Sequence, residues 1–169
     1  IKARTTLLRD MGAAVSPFNA FLTLQGIETV TLRMERHVQN AQKVVDFLVT
    51  RQEVAKVIHP SLQTGEMRKR ADKYLKGGYG ALLGFELKGG LDAGRRFIDA
   101  LKLFYHVANI GDARSLAIHP ATTTHSQLAE EAQIASGVTP GYVRLSIGLE
   151  HIDDILADLE RGLKAAGTV

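Results

Sequence analysis

Between Tyr142 and Leu163 the hydrophobic period changes from two residues to about 3.6, and this switch limits the possible folds more than any other feature. In "YVRLSIGLE" the residues Val143, Leu145, Ile147 and Leu149 alternate with Tyr142, Arg144 and Ser146. That alternation describes a strand with one apolar face. Immediately afterwards Ile152, Ile155, Leu156, Leu159 and Leu163 form one helical stripe, and the two apolar surfaces are buried if the helix lies back over the sheet.

Upstream segments repeat the theme. "VAKVIHP", residues 81–87, "FYHVAN" and "SLAIHP" are β-like, and residues 91–103 read as a helix with Phe97, Ile98 and Leu101 facing inward. A short polar helix is expected from about Ser126 to Ala135, capped by Thr122, Thr123 and Thr124. The class is α+β, with helices covering one sheet face. The first third is different. Residues 1–11 read as a helix stopped at Gly12, Ser16-Pro17 as an N-cap with a first-turn proline, and Phe18, Phe21, Leu22 and Leu24 as a helix weakened or bent at Gly26. A long amphipathic helix is expected from Glu28 to Arg51, and the composition shifts near Val54. This places 1–54 and 55–169 in different domains.

Bulk properties remove several function classes. The 169 residues are the size of one ordinary domain, 45% hydrophobic and 23% charged, with no cysteine. Lys and Arg number 21 against 18 Asp and Glu, interspersed, so no nucleic-acid partner is expected. No apolar run approaches the roughly 20 residues of a membrane helix, and a soluble, reducing, cytoplasmic setting is expected. Ile1 stands first without a signal-peptide pattern, and sequence upstream of it is expected to be missing.

Arg144 is the leading candidate for chemistry, because period two turns it away from the apolar face of its strand. A planar guanidinium grips a carboxylate through two parallel hydrogen bonds, which suits an amino-acid substrate; an exposed or structurally paired arginine is the plainer alternative. The loop "NIGDARSLAIHPATTTH" gathers turn-prone and polar residues of the kind that line sites. Its His119 and His125 lack metal-ligand spacing, and no metal is expected. Ser115 and Ser146 lie outside any G-x-S-x-G elbow. The run "MRKRADKYLKGGYG" sets Lys73 before glycines, but it matches no phosphate-loop spacing and reads as a solvated helix ending at Gly77-Gly78.

Three segments in order, "SPFNAFLTLQGIETVTLRMERH", "NIGDARSLAIHPATTTHSQL" and "YVRLSIGLEHIDDILADLERGL", resemble the C-terminal part of the Cys/Met-metabolism family of pyridoxal-phosphate enzymes. The wording is closest to the branch that replaces the acetate of O-acetylhomoserine with sulfide, giving homocysteine for methionine biosynthesis. The resemblance covers essentially the whole chain. It implies the C-terminal part of a type I pyridoxal-phosphate transferase fold, in which 1–54 ends the large cofactor domain and 55–169 is a small domain with a mainly antiparallel sheet. It also implies a homodimer or homotetramer, and a role for Arg144 in binding the substrate α-carboxylate, with the main chain at Ser115 and Leu116 assisting and Thr124 nearby. The family's Schiff-base lysine, in a Ser-x-x-Lys context before the segment seen here as Ser16-Pro17, has no match. No catalytic or cofactor-binding residue is therefore expected here, and the chain alone should bind no pyridoxal phosphate and be inactive. Cystathionine synthesis or cleavage, and a free-standing structural or ligand-binding module, remain as alternatives.

Overall fold

The computed structural model describes residues 1–167. Residues 168 and 169, which the expected second domain includes, lie outside the described residues. Contacts divide the chain into two compact units, Ile1–Arg33 and Met34–Val169.

In the first unit a wide π-type turn spans Ala3–Leu8 and continues into α1 (Arg9–Met11), which stops at Gly12 with φ of 66°. Ser16 caps α2 (Pro17–Glu28) as expected, its hydroxyl oxygen accepting the Asn19 amide at 3.1 Å. The helix passes through Gly26, and the interruption falls at Thr29 instead. No residue from 1 to 33 is buried; Phe18 is 66% exposed, Phe21 56% and Leu24 59%.

The second unit takes in most of α3 (Val30–Leu48), whose His37, Asn40, Ala41, Val44, Val45 and Leu48 are buried at helical spacing. Contacts thus begin this unit at Met34, ahead of the composition shift near Val54, because the inner face of α3 belongs to the same core as the sheet. There follow β1 (Val54–Ile58), α4 (Gly65–Tyr74), β2 (Leu82–Leu87), α5 (Gly90–Ala100), β3 (Tyr105–His106), β4 (Leu116–Ile118), α6 (Glu130–Ala135), β5 (Tyr142–Ser146) and α7 (Ile152–Gly167). The sheet order is β1-β2-β5-β4-β3, antiparallel except for the β3–β4 pair. The α+β class is what the hydrophobic patterning predicts, and the mainly antiparallel sheet is what the resemblance implies.

Period two sorts the sheet residues. Leu83, Phe85, Leu87, Ala117, Val143 and Leu145 form the core with α5 and α7, and Phe85 meets Phe97 edge to face at 5.3 Å. Helix α7 comes close to α5 because Gly162 has no side chain; a Cβ there would lie 2.7 Å from the Phe97 ring. The opposite face carries Leu82, Gly84, Arg144, Ser146, Leu116 and Ile118, with Arg144 opposite Gly84 on one side and Ile118 on the other.

Two local expectations need correction. Helix α6 begins at Glu130, and the three threonines do not cap it. The hydroxyls of Thr122 and Thr123 fold back onto the His119 carbonyl, at 3.3 and 2.8 Å, around a tight turn at Pro120–Thr122. Helix α4 ends at Tyr74, before Gly77-Gly78.

Candidate functional site

Arg144 sits in the middle of the sheet face that α5 and α7 leave uncovered. Its neighbour on β2 is Gly84, and the space above this glycine is filled by Tyr142, whose hydroxyl would lie 2.4 Å from a Cβ built there. Burial raises the Tyr142 phenol pKa, and the Arg144 charge beside it works in the opposite direction. One guanidinium nitrogen, Nη2, donates to the carbonyls of Ala108 at 2.7 Å and Asn109 at 3.3 Å. Nε is buried and has no partner. Among the described residues no carboxylate lies within ion-pair distance of Arg144. A half-buried cation without a counter-ion loses hydration and gains no Coulomb attraction in return, so the arrangement favours an added anion.

Arg144 and Tyr142 border a mostly apolar cavity of about 450 Å³, closed on other sides by Ile58, His59, Met67 and Leu82. His59 is 2% exposed. Its Nδ1 accepts from the Ser61 hydroxyl at 2.8 Å and the Ser61 amide at 3.3 Å, and burial pulls its pKa below the ordinary imidazole value. The ring is therefore neutral at pH 7.

The other expected site residues fall in different surroundings. Ser115 is fully buried just before β4, and its amide donates to Glu150 Oε1 at 2.6 Å. Leu116 is buried on β4, opposite Ser146. Leu116 begins, and Ser115 immediately precedes, the strand that pairs with the one carrying Arg144. Thr124 is exposed, and its hydroxyl is 2.9 Å from His125 Nδ1; no hydrogen bond joins it to Arg144. His119 is fully buried, with Nε2–H donated to the Pro140 carbonyl at 2.7 Å and Nδ1 accepting from the Thr122 hydroxyl at 2.9 Å. Both its ring nitrogens have structural partners. Lys73, on exposed α4, places its ammonium 5.2 Å from the Tyr74 ring and does not border the cavity.

Sequence reasoning missed the polar groups that surround the end of β5. His37 Nδ1–H donates to the Ile147 carbonyl at 2.6 Å, and the Asn40 amide donates to the Gly148 and Glu150 carbonyls at 3.0 Å each. The available signal was positional. His37 and Asn40 share the helical stripe of Ala41, Val44 and Leu48, and polar residues at core positions need partners.

Comparison with known proteins shows the family of the chain. The profile of the Cys/Met metabolism PLP-dependent enzymes matches residues 1–164. O-acetyl-L-homoserine sulfhydrylase of Leptospira meyeri is 57% identical over 165 residues, which is 97% of this chain and 37% of that protein. A Campylobacter jejuni crystal structure named for O-acetylhomoserine (thiol)-lyase, which carries N'-pyridoxyl-lysine-5'-monophosphate, superposes with a TM-score of 0.86 at 44% identity, covering 96% of this chain and 39% of that one. Cystathionine gamma synthase of Xanthomonas oryzae gives 0.82 at 40% identity, covering 93% and 40%. The chain thus spans about two fifths of the length of these relatives. With its profile matched over nearly all its length, the chain belongs to the Cys/Met-metabolism family of pyridoxal-phosphate-dependent enzymes.

Proposed function

We propose that this chain is the substrate-carboxylate-binding, C-terminal portion of an O-acetylhomoserine sulfhydrylase, which converts O-acetylhomoserine and sulfide to homocysteine and acetate. The observation that carries this reading is the Arg144 guanidinium: held by two backbone carbonyls, without a counter-ion among the described residues, and bordering a cavity on the open side of the sheet. Its remaining donors suit the two oxygens of an α-carboxylate. Leu116 opens the neighbouring strand β4, two residues before Ile118, the partner of Arg144, and Ser115 precedes it with its amide already bonded to Glu150. Thr124 is the outermost member of the proposed set.

Holding the carboxylate fixes the rotation of the substrate about its Cα and therefore which bond meets the cofactor at the reactive angle. When bound, pyridoxal phosphate supplies an electron sink for the departing acetate and incoming sulfide. On this reading the cofactor's anchors belong to the rest of the full-length enzyme. In that enzyme residues 1–54 supply the end of the large domain and the connecting helices, α3 among them, and 55–169 form the small domain. The exposed apolar residues of α2 support a covering partner, either that large domain or a neighbouring subunit, over a free-standing module.

Arg144→Ala in the full-length enzyme should lower kcat/KM for O-acetylhomoserine by about 2–4 kcal/mol, roughly thirty- to several-hundred-fold. Unchanged steady-state kinetics in that variant would remove Arg144 from the site. The likeness to cystathionine gamma synthase keeps a second reaction open. Assays of the full-length protein with sulfide and with cysteine as competing nucleophiles separate the two.

A further inference from the structure

Glu150 has both carboxylate oxygens engaged with a single residue. Oε1 accepts the Ser115 amide at 2.6 Å and Oε2 the Ser115 hydroxyl at 2.8 Å. Among the described residues no cation lies within ion-pair distance of Glu150. A half-buried carboxylate with no cation is a poor stability device, since its desolvation is offset only by the two hydrogen bonds it accepts. Its geometry has another use.

Every polar group of Ser115 is committed. Besides its two bonds to Glu150, its hydroxyl oxygen accepts the Gly148 amide at 2.9 Å and its carbonyl accepts the Tyr105 amide at 3.0 Å. Tyr105 begins the segment that reaches Ala108 and Asn109, the two carbonyls that hold Arg144. The far end of this loop is tied to the exit of β5: Gly111 donates to Ser146 Oγ at 3.1 Å, and Leu149 donates to the Ala113 carbonyl at 2.8 Å. There is no slack at this junction. A Cβ on Gly148 would lie 2.3 Å from Glu150 Oε2 and 2.5 Å from the Ser115 amide.

We propose that Glu150 is a positioning residue for substrate binding: through Ser115 it fixes the loop whose carbonyls aim the Arg144 guanidinium. The proposal rests on the reading of Arg144 as the carboxylate site. Glu150 touches no substrate in this scheme. Its removal lets the loop and guanidinium drift, weakening carboxylate capture without altering the chemistry that follows.

A double-mutant cycle in the full-length holoenzyme tests this. Glu150→Ala should raise KM for O-acetylhomoserine roughly ten- to a hundredfold, change kcat by less than about threefold, and leave the bound-cofactor absorbance intact. Glu150→Gln, which keeps one acceptor for the Ser115 amide, should recover most of the KM. In an Arg144→Ala background Glu150→Ala should change KM by less than about twofold, because the group it aims is gone. An unchanged KM in Glu150→Ala, or effects that multiply fully in the double variant, overturns the proposal. Should Glu150→Ala fail to accumulate as folded protein, the cycle is run with Glu150→Gln, for which a KM rise of roughly threefold that disappears in the Arg144→Ala background supports the proposal and a rise that persists overturns it. Failure of the underlying site reading is distinguishable, since Arg144→Ala alone would then leave KM unchanged.

Discussion

Helices α2 and α7 are both rich in apolar residues, yet they end in opposite surroundings. In α7 the apolar residues form one stripe, and Ile155, Leu159 and Leu163 are each 2% exposed or less. In α2, Phe18, Phe21, Leu22, Leu24 and Ile27 all remain more than half exposed. The difference lies in how the residues are distributed around each helix. A stripe needs one neighbouring surface, which α5 and the shared core supply to α7, whereas apolar residues on several sides need cover from several directions. The chain spans about two fifths of its relatives, and under the proposed function the remaining length, or a second subunit, provides that cover.

The comparison can be broken most forcefully from the buried side. Phe97 is fully buried between Phe85 and the Gly162 gap on α7. Phe97→Ala should cost about 3–5 kcal/mol, because the close approach of α5 and α7 leaves a cavity that neither helix can close. The urea midpoint of the isolated chain should drop sharply or its cooperative transition should vanish. A change below about 1 kcal/mol would mean that the stripe of α7 is not the main source of stability.

How much of this was readable beforehand follows from the range over which each cause acts. The β5 alternation and α7 stripe are local patterns, and the structure places Val143, Leu145, Ile147 and the α7 stripe in or against the core, while the strand ends at Ser146 and Leu149 is only half-buried. Ser16 as an N-cap and Gly12 as a helix stop are equally local. Arg144 could be put on a face by period two, but not beside the carbonyls of Ala108 and Asn109, which are 36 and 35 residues away in sequence. Asp158 is a plainer case of the same limit. It sits on the buried side of α7 because the amides of Lys102, Leu103 and Phe104 converge on its carboxylate, and no period in the sequence announces them. The threonines failed for the opposite reason. A good local cap pattern went unused: the hydroxyls of Thr122 and Thr123 donate to the His119 carbonyl, and the helix whose amides they would cap begins only at Glu130.

Protonation gives a smaller effect confined to the second unit. Burial holds the pKa values of His119 and His59 below the ordinary value of about 6.5. The unfolded chain then binds more protons than the folded one between those lowered values and about 6.5. The stability contribution of the neutral imidazoles is present above about pH 6.5 and is lost as pH falls below it. Urea midpoints measured from pH 7.5 down to pH 5 should therefore decline, and His119→Gln should flatten part of the slope while His59 keeps the rest. A slope unaltered by that substitution would show that His119 is not a source of it.

The smallest expected effect tests the exposed side. In the isolated chain Phe21→Ser and Leu24→Ser remove apolar groups that touch no core, so the cooperative unfolding of the second unit should shift by less than about 0.5 kcal/mol. Self-association at high concentration, followed by sedimentation velocity, should decrease, because a large apolar patch has been made polar. In the full-length enzyme the same pair should lower the melting temperature markedly if α2 is covered there, since each change would then bury an unpaired hydroxyl and leave a cavity. Equal, negligible shifts in both proteins would show that α2 stays uncovered in the complete enzyme, and the contrast with α7 would then need a cause other than a missing partner surface.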